Sequence, residues 1–366
     1  MKMLPKFRRS PQMLILVLAL SGPAQSFSQD VKAAPAQKPK VTSIDEINAV
    51  YLRKIAVIER QKLEQLGELA ASQPKAQADA TYREYFQLAI AKDFYMEAEA
   101  TARKLIEAGD SSSELRTLAN LVKIIAEVDR GAYDDSVKSL VQAVGDKTAQ
   151  GKPAGAPGGD LGLTASSRGA IVESYYQKLI RAYQYGVARK AMEIVAENAE
   201  NPAVRDLATR RKGHLDLIGQ PAPPIVSVDL EGKPFRLDAA KGEVVLLFFW
   251  ASWCLPAADQ IPALEETYRT YRERGFRVVG IDVDSSQEGE TDPKTIIANA
   301  RRFLVEFNIP WTTLINGRGD QDLTRSYTIT EVPANVLIGR DGKVIHLDLF
   351  GSKLDKAIGE AIAAKP

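Results

Sequence analysis

Val244-Val-Leu-Leu-Phe-Phe-Trp-Ala-Ser-Trp-Cys254-Leu-Pro-Ala-Ala-Asp-Gln260 is the stretch that decides the fold class. Its first seven residues are continuously apolar and rich in β-branched and aromatic side chains, which predicts a short strand buried on both faces. A helix is expected from about Cys254 to Arg274, and Pro256 falls in its first turn, where a missing N–H costs nothing. Cys254 therefore stands where a strand gives way to a helix. Unpaired backbone N–H groups and the positive end of the helix dipole predict a thiol shifted toward thiolate, suited to act as a nucleophile.

Strand and helix signals alternate on the C-terminal side of this stretch. Phe276–Val283 reads as a second buried strand, 293–308 as a helix and Trp311–Leu314 as a short strand. Asn335–Ile338 and Val344–Leu349 form a hairpin around Gly339-Arg-Asp-Gly342, and a last helix covers about 353–363. The predicted fold is α/β, a mixed central sheet with helices on both faces, over residues 218–366.

Residues 43–217 carry a different pattern. Apolar residues recur at three- and four-residue steps, predicting an all-α domain with helices over 43–72, 76–92, 94–108, 112–129, 133–144, 168–183, 185–199 and 202–216. Ser43-Ile-Asp-Glu46 fits a capping box at its start. Three helix starts, at Phe94, Tyr133 and Tyr185, each place an aromatic residue just ahead of a small one, as in the second helix of a tetratricopeptide unit. Their unequal spacing leaves a repeat array and a plain bundle of helical hairpins both open. A Gly- and Pro-rich loop is expected at 146–167.

The N-terminus has the three-part plan of a secretory signal peptide, over about residues 1–28. Lys2, Lys6, Arg8 and Arg9 precede Met13-Leu-Ile-Leu-Val-Leu-Ala-Leu20, and small residues follow. Residues 29–42 read as a flexible linker. The expected location is exported, periplasmic or secreted, with no membrane span after signal cleavage, since the apolar run is far below the roughly 20 residues that cross a bilayer.

The 366 residues include 48 Lys+Arg against 47 Asp+Glu, with 45% hydrophobic residues, two His and one Cys. Basic and acidic residues interleave, so a nucleic-acid partner is not expected. A single Cys excludes an intramolecular disulfide, and with His214 and His346 far apart in sequence it excludes the usual thiolate zinc site. Neither a metal nor a cofactor is called for.

Phe249-Trp-Ala-Ser-Trp-Cys-Leu-Pro-Ala257 resembles the active-site stretch of thioredoxin-like thiol–disulfide oxidoreductases, most closely the TlpA/ResA redoxin branch, whose usual form is Trp-Cys-x-Pro-Cys. Ile218-Gly-Gln-Pro-Ala-Pro-Pro224, Asp229-Leu-Glu-Gly-Lys233 and Glu331-Val-Pro-Ala334 with the following hairpin extend the resemblance over residues 218–366. It implies a thioredoxin-like fold, Cys254 as catalytic residue, a cis bond before Pro333, and a substrate groove of Trp253, Leu255, Pro256, Val332 and Pro333. The implied partners are protein thiols and disulfides; apart from the resemblance, a further protein partner is expected on the helical domain.

The chain departs from that pattern at the resolving position, which is Ala257. The Gly often found after the first Cys is Leu255, and Phe248 occupies the place of thioredoxin's buried acid. Four readings of Cys254 stay open. It is a one-thiol exchanger resolved by an external thiol such as a small reductant, a relic in a non-catalytic binding module, a one-Cys peroxidase-like site, or an inert core residue. Against the third, Leu247 and Ala251 stand where peroxiredoxins carry Pro and Thr. Asp282 and Asp284 are expected to be solvated or capping, His346 to lie on the surface, and Trp250 to pack around the Cys.

Overall fold

The computed structural model describes residues 43–145, 163–286, 292–317 and 319–364. The signal segment, the linker and most of the Gly/Pro loop lie outside the described residues.

Eight helices among these residues make the N-terminal half: α1 (Ile44–Ser72), α2 (Lys75–Ala91), α3 (Tyr95–Ala108), α4 (Ser113–Asp129), α5 (Tyr133–Val144), α6 (Ala165–Arg181), α7 (Tyr185–Asn198) and α8 (Pro202–Leu215). Their bounds follow the apolar periodicity closely. The exception is α6, which begins three residues earlier than expected because the Thr164 hydroxyl accepts the Ser167 N–H and caps it. Three hairpins share one turn. Asp93, Gly131 and Tyr183 adopt left-handed backbone with φ of 56°, 75° and 58°. The next N–H in each case reaches back five residues, Phe94 to Ala89, Ala132 to Glu127 and Gln184 to Leu179. This closes the preceding helix as a Schellman motif does, and the next helix then starts on Tyr95, Tyr133 or Tyr185.

The C-terminal half contains β1 (Val226–Val228), β2 (Pro234–Arg236), β3 (Val244–Trp250), α9 (Leu255–Ala258), α10 (Ile261–Tyr271), β4 (Phe276–Asp282), α11 (Pro293–Glu306), β5 (Thr312–Ile315), α12 (Leu323–Ser326), β6 (Ala334–Ile338), β7 (Val344–Leu347) and α13 (Ser352–Ala363). β1 and β2 form a hairpin, and the main sheet runs β5-β4-β3-β6-β7. β3 is parallel to β4 and antiparallel to β6, and all seven of its residues are buried. On one face Phe248 lies near α10 and α13, and Trp250 stacks on Phe303 of α11 at 4.3 Å. Trp250 is thus a core residue beneath α11. The opposite face places Phe249 against Tyr327, which follows α12.

Both sheet edges are covered, which removes the unpaired backbone that invites aggregation. Ile218 bridges Val344 on β7, and Gly219 and Gln220 exchange backbone hydrogen bonds with Val344. Asp229 and Leu230 cover β5 in the same manner at Leu314 and Thr313.

The two halves meet through buried polar groups. Tyr176 of α6 donates to Asp348 (3.3 Å), Tyr185 of α7 pairs with His346 Nδ1 (2.8 Å), and His214 of α8 donates from Nδ1 to the Tyr327 carbonyl (2.9 Å). His346 is therefore half-buried between Tyr183 and Tyr185, not a surface residue. Its pairing partners come from the other half of the chain, which local sequence does not reveal.

Close packing at Gly280 is testable. It lies between Phe248 and Thr313 on neighbouring strands, and a Cβ there would stand 2.9 Å from the Thr313 hydroxyl and 3.1 Å from the Trp250 indole nitrogen. Gly280→Ala is expected to lower stability by about 1–3 kcal/mol in urea unfolding. An unchanged midpoint would contradict this packing.

Candidate functional site

β3 delivers its C-terminal end to a tight turn, and Cys254 is the N-cap of α9. The helix expected over 254–274 is broken. α9 is a single turn, and Pro262, near the start of α10, has no N–H to continue the ladder. One turn supplies little of the dipole that a long helix would provide.

Cys254 is 6% exposed, and its Sγ–H donates to the Val332 carbonyl at 3.4 Å. Burial pushes the thiol above its usual pKa, and the opposing pull of the Ala257 backbone N–H is the smaller effect. The direction is the reverse of that expected from the strand-to-helix position, because desolvation of a recessed thiol outweighs a one-turn helix. Ala257, at the resolving position, is fully buried below the same turn.

The Val332–Pro333 bond is cis. Both residues are half-buried, and Ala334 immediately enters β6 opposite Phe249. Trp253 and Leu255, 45% and 78% exposed, stand with exposed Pro256 around the recessed sulfur. The structure brings Cys254 to Val332, adjacent to Pro333, from 78 residues away. Solvent reaches the site over an apolar rim.

Two acids at the end of β4 support the turn. Asp284 accepts from the Ser252 N–H (2.8 Å) and hydroxyl (2.7 Å), and Asp282 accepts from the Asp284 N–H (2.7 Å). Both are buried, so of the two roles expected, solvated or capping, the solvated one is corrected, while the backbone N–H groups they accept fit the capping one. A strand buried to its last residue carries its terminal acid inward with it. Burial first, and the neighbouring Asp284 second, push the Asp282 pKa up to about 8. The Asp284–Ser252 clamp was not anticipated, and the only hint of it in the sequence is an Asp-x-Asp directly ending an apolar strand. Among the described residues no group of three or more His, Cys, Asp or Glu is placed to hold a metal ion.

Comparison with known proteins agrees with this geometry. The AhpC/TSA family model matches residues 218–347. The thiol-disulfide oxidoreductase ResA of Bacillus thuringiensis subsp. konkukian (strain 97-27) is 35% identical over 128 residues, covering 35% of this chain and 67% of the relative. A ResA of Bacillus cereus is 32% identical over 143 residues, 39% of this chain and 70% of the relative. The chain belongs to the ResA-type thiol-disulfide oxidoreductase family. The crystal structure of the thioredoxin domain of a thiol-disulfide oxidoreductase from Bacteroides vulgatus is also similar, with 25% identity, a TM-score of 0.35, and coverage of 40% of this chain and 97% of that one.

Relative to the ResA-type pattern, the first Cys and the Pro two residues later are kept as Cys254 and Pro256, and the second Cys is replaced by Ala257. The family match begins at Ile218, just past α8.

The acid pair yields a pH test. Native Asp282 keeps its proton to about pH 8, whereas the unfolded side chain loses it near ~3.9. The folded state then holds the extra proton between these values, so this group's contribution to stability falls as pH rises through that window. Asp282→Asn is expected to be more stable than wild type at pH 8, with the gap closing toward pH 4, in urea unfolding across pH. A gap independent of pH would refute it.

Proposed function

We propose that this protein is an exported thioredoxin-like thiol–disulfide oxidoreductase that works with one nucleophilic cysteine. The observation that carries the reading is Cys254 itself, recessed against the Val332 carbonyl beside cis-Pro333 at the family's active-site position, in a chain with no second thiol. Cys254 thiolate attacks one sulfur of a substrate disulfide. The substrate S–S bond breaks, a Cys254–substrate bond forms, and the departing sulfur leaves as a thiolate that takes up a proton. An external thiol then attacks the Cys254 sulfur and displaces the substrate's second sulfur as a thiol, and a second external thiol displaces Cys254, leaving the two external thiols oxidised to a disulfide. Trp253, Leu255 and Pro256 supply the apolar side of the groove, and the Val332–Pro333 backbone offers the polar side to an extended peptide. The signal-like residues 1–28 support export, and the helical half, with its repeated hairpin turns, provides a surface for a protein partner.

A second reading is favoured by one observation, the upward push of burial on the Cys254 thiol. It makes the domain a non-catalytic peptide-binding module. Insulin reduction by dithiothreitol separates the two. Wild type is expected to accelerate it and Cys254→Ala to leave the uncatalysed rate, whereas equal rates remove the exchange reading. Because thiolate is the reacting species, alkylation of Cys254 by iodoacetamide should rise with pH about a midpoint above the unperturbed ~8.5.

Ala257→Cys tests the missing half of the cycle. Wild type treated with oxidised glutathione should accumulate one glutathionyl adduct by mass spectrometry. The variant should instead proceed to an internal disulfide between Cys254 and the introduced thiol. A stable adduct on both would show that position 257 cannot resolve it.

A further inference from the structure

We propose that Arg211, in α8 of the helical half, is a positioning residue for the Cys254 site, holding the Val332–Pro333 loop in the register that receives an extended peptide disulfide. This deepens the exchange reading above and rests on it.

Arg211 is 5% exposed and satisfied on several sides. Its guanidinium makes two hydrogen bonds to Glu173 of α6 (2.7 and 2.8 Å), lies over the Tyr176 ring at 4.7 Å, and reaches the carboxylate of Glu331. Glu331 is the residue before Val332, whose carbonyl meets the Cys254 thiol. One turn further along α8, His214 Nδ1 donates to the Tyr327 carbonyl at 2.9 Å. Between them Gly213 lets the loop come close, since a Cβ there would already touch the Thr328 methyl at 3.4 Å. Thr328 has φ of 53°, a left-handed conformation that a β-branched residue adopts only where its surroundings impose it. The approach to the loop, from Tyr327 to Glu331, is thus gripped at both ends by one helix.

The exit from the loop is held from the same side. Asn335, two residues after Pro333, donates its N–H to Asp348 (3.3 Å). Asp348 in turn accepts from Tyr176 (3.3 Å) and faces His214 Nε2 at 3.4 Å. Although burial works against ionisation, His214 and Arg211 hold the Asp348 carboxyl below its usual pKa. Val332 and Pro333 therefore span two anchor points: Glu331, held directly by Arg211 of α8, and Asn335, held by Asp348, which is itself braced by Tyr176 of α6 and His214 of α8. The bidentate bond to Glu173 and the stacking on Tyr176 fix the guanidinium plane as a lysine's ammonium could not be fixed, so that Nη2 is presented to Glu331 in one direction. An extended peptide that pairs with this backbone inherits that geometry, and thiol attack on its disulfide is sensitive to displacement of the order of an ångström.

The test uses the full chain with Arg211→Met and Glu331→Gln, the latter altering an exposed side chain in case the former fails to fold. Mixed-disulfide formation at Cys254 is timed with an extended peptide disulfide and with 2,2′-dithiodipyridine, which has no peptide backbone to dock. Both variants should slow the peptide reaction about tenfold or more. The small-disulfide rate should stay within about twofold, since the thiol itself is untouched. Hydrogen–deuterium exchange of residues 329–336 should quicken in both. Equal losses with the two disulfides, or no loss with either, would overturn the proposal. If wild type reacts with no peptide disulfide, the exchange reading fails, and hydrogen exchange alone decides the positioning: unchanged protection overturns it.

Discussion

Complete burial of β3 is the constraint on which the thioredoxin-like half depends. Seven apolar residues from Val244 to Trp250 must be removed from water on both faces and both edges. At roughly 25 cal/mol per Å² of apolar area the drive to do so is large, and it calls for β4 and β6 on either side and for α10, α11 and α13 above. Cys254 is four residues beyond the last of these positions. Its sulfur is recessed because the strand that carries it is the deepest element of the sheet, and the same recess raises its pKa. Reactivity and stability here pull on the same atom in opposite directions.

The seam between the halves follows a second logic. It is polar, yet Arg211, His214, Asp348, Asn335 and Tyr176 are all nearly inaccessible. Burying such groups is costly unless each finds partners, and these do so across the seam. Charge and geometry therefore specify one docking arrangement rather than a sliding apolar contact. The helical half is tied to the loop beside Cys254 and to the β7 edge at once, which makes it continuous with the site in structural terms.

Much of this was legible in the chain itself. Helix bounds in the N-terminal half could be read from apolar period alone, because each helix buries one stripe, and the α/β pattern followed from runs bounded by Gly and Pro. The position of Cys254, the substitution at Ala257 and the likeness of the Pro333 loop were equally visible. Three of the expectations that failed share one cause. Polarity alone points Asp282, Asp284 and His346 toward solvent, whereas each takes its environment from an element far away in the chain. Asp284 meets Ser252 from 32 residues off, and His346 meets Tyr185 from 161.

By itself the sequence determined the two-part architecture, the single thiol and the absence of an internal resolving thiol, since these depend on local pattern and on counting. Tertiary structure alone decided the state of that thiol and its company. Whether a thiol is desolvated, whether two acids share a buried corner, and whether an arginine of one half reaches a glutamate 120 residues away in the other depend on which surfaces meet. Those meetings are settled by burial over the whole fold, a quantity that no local window of residues contains.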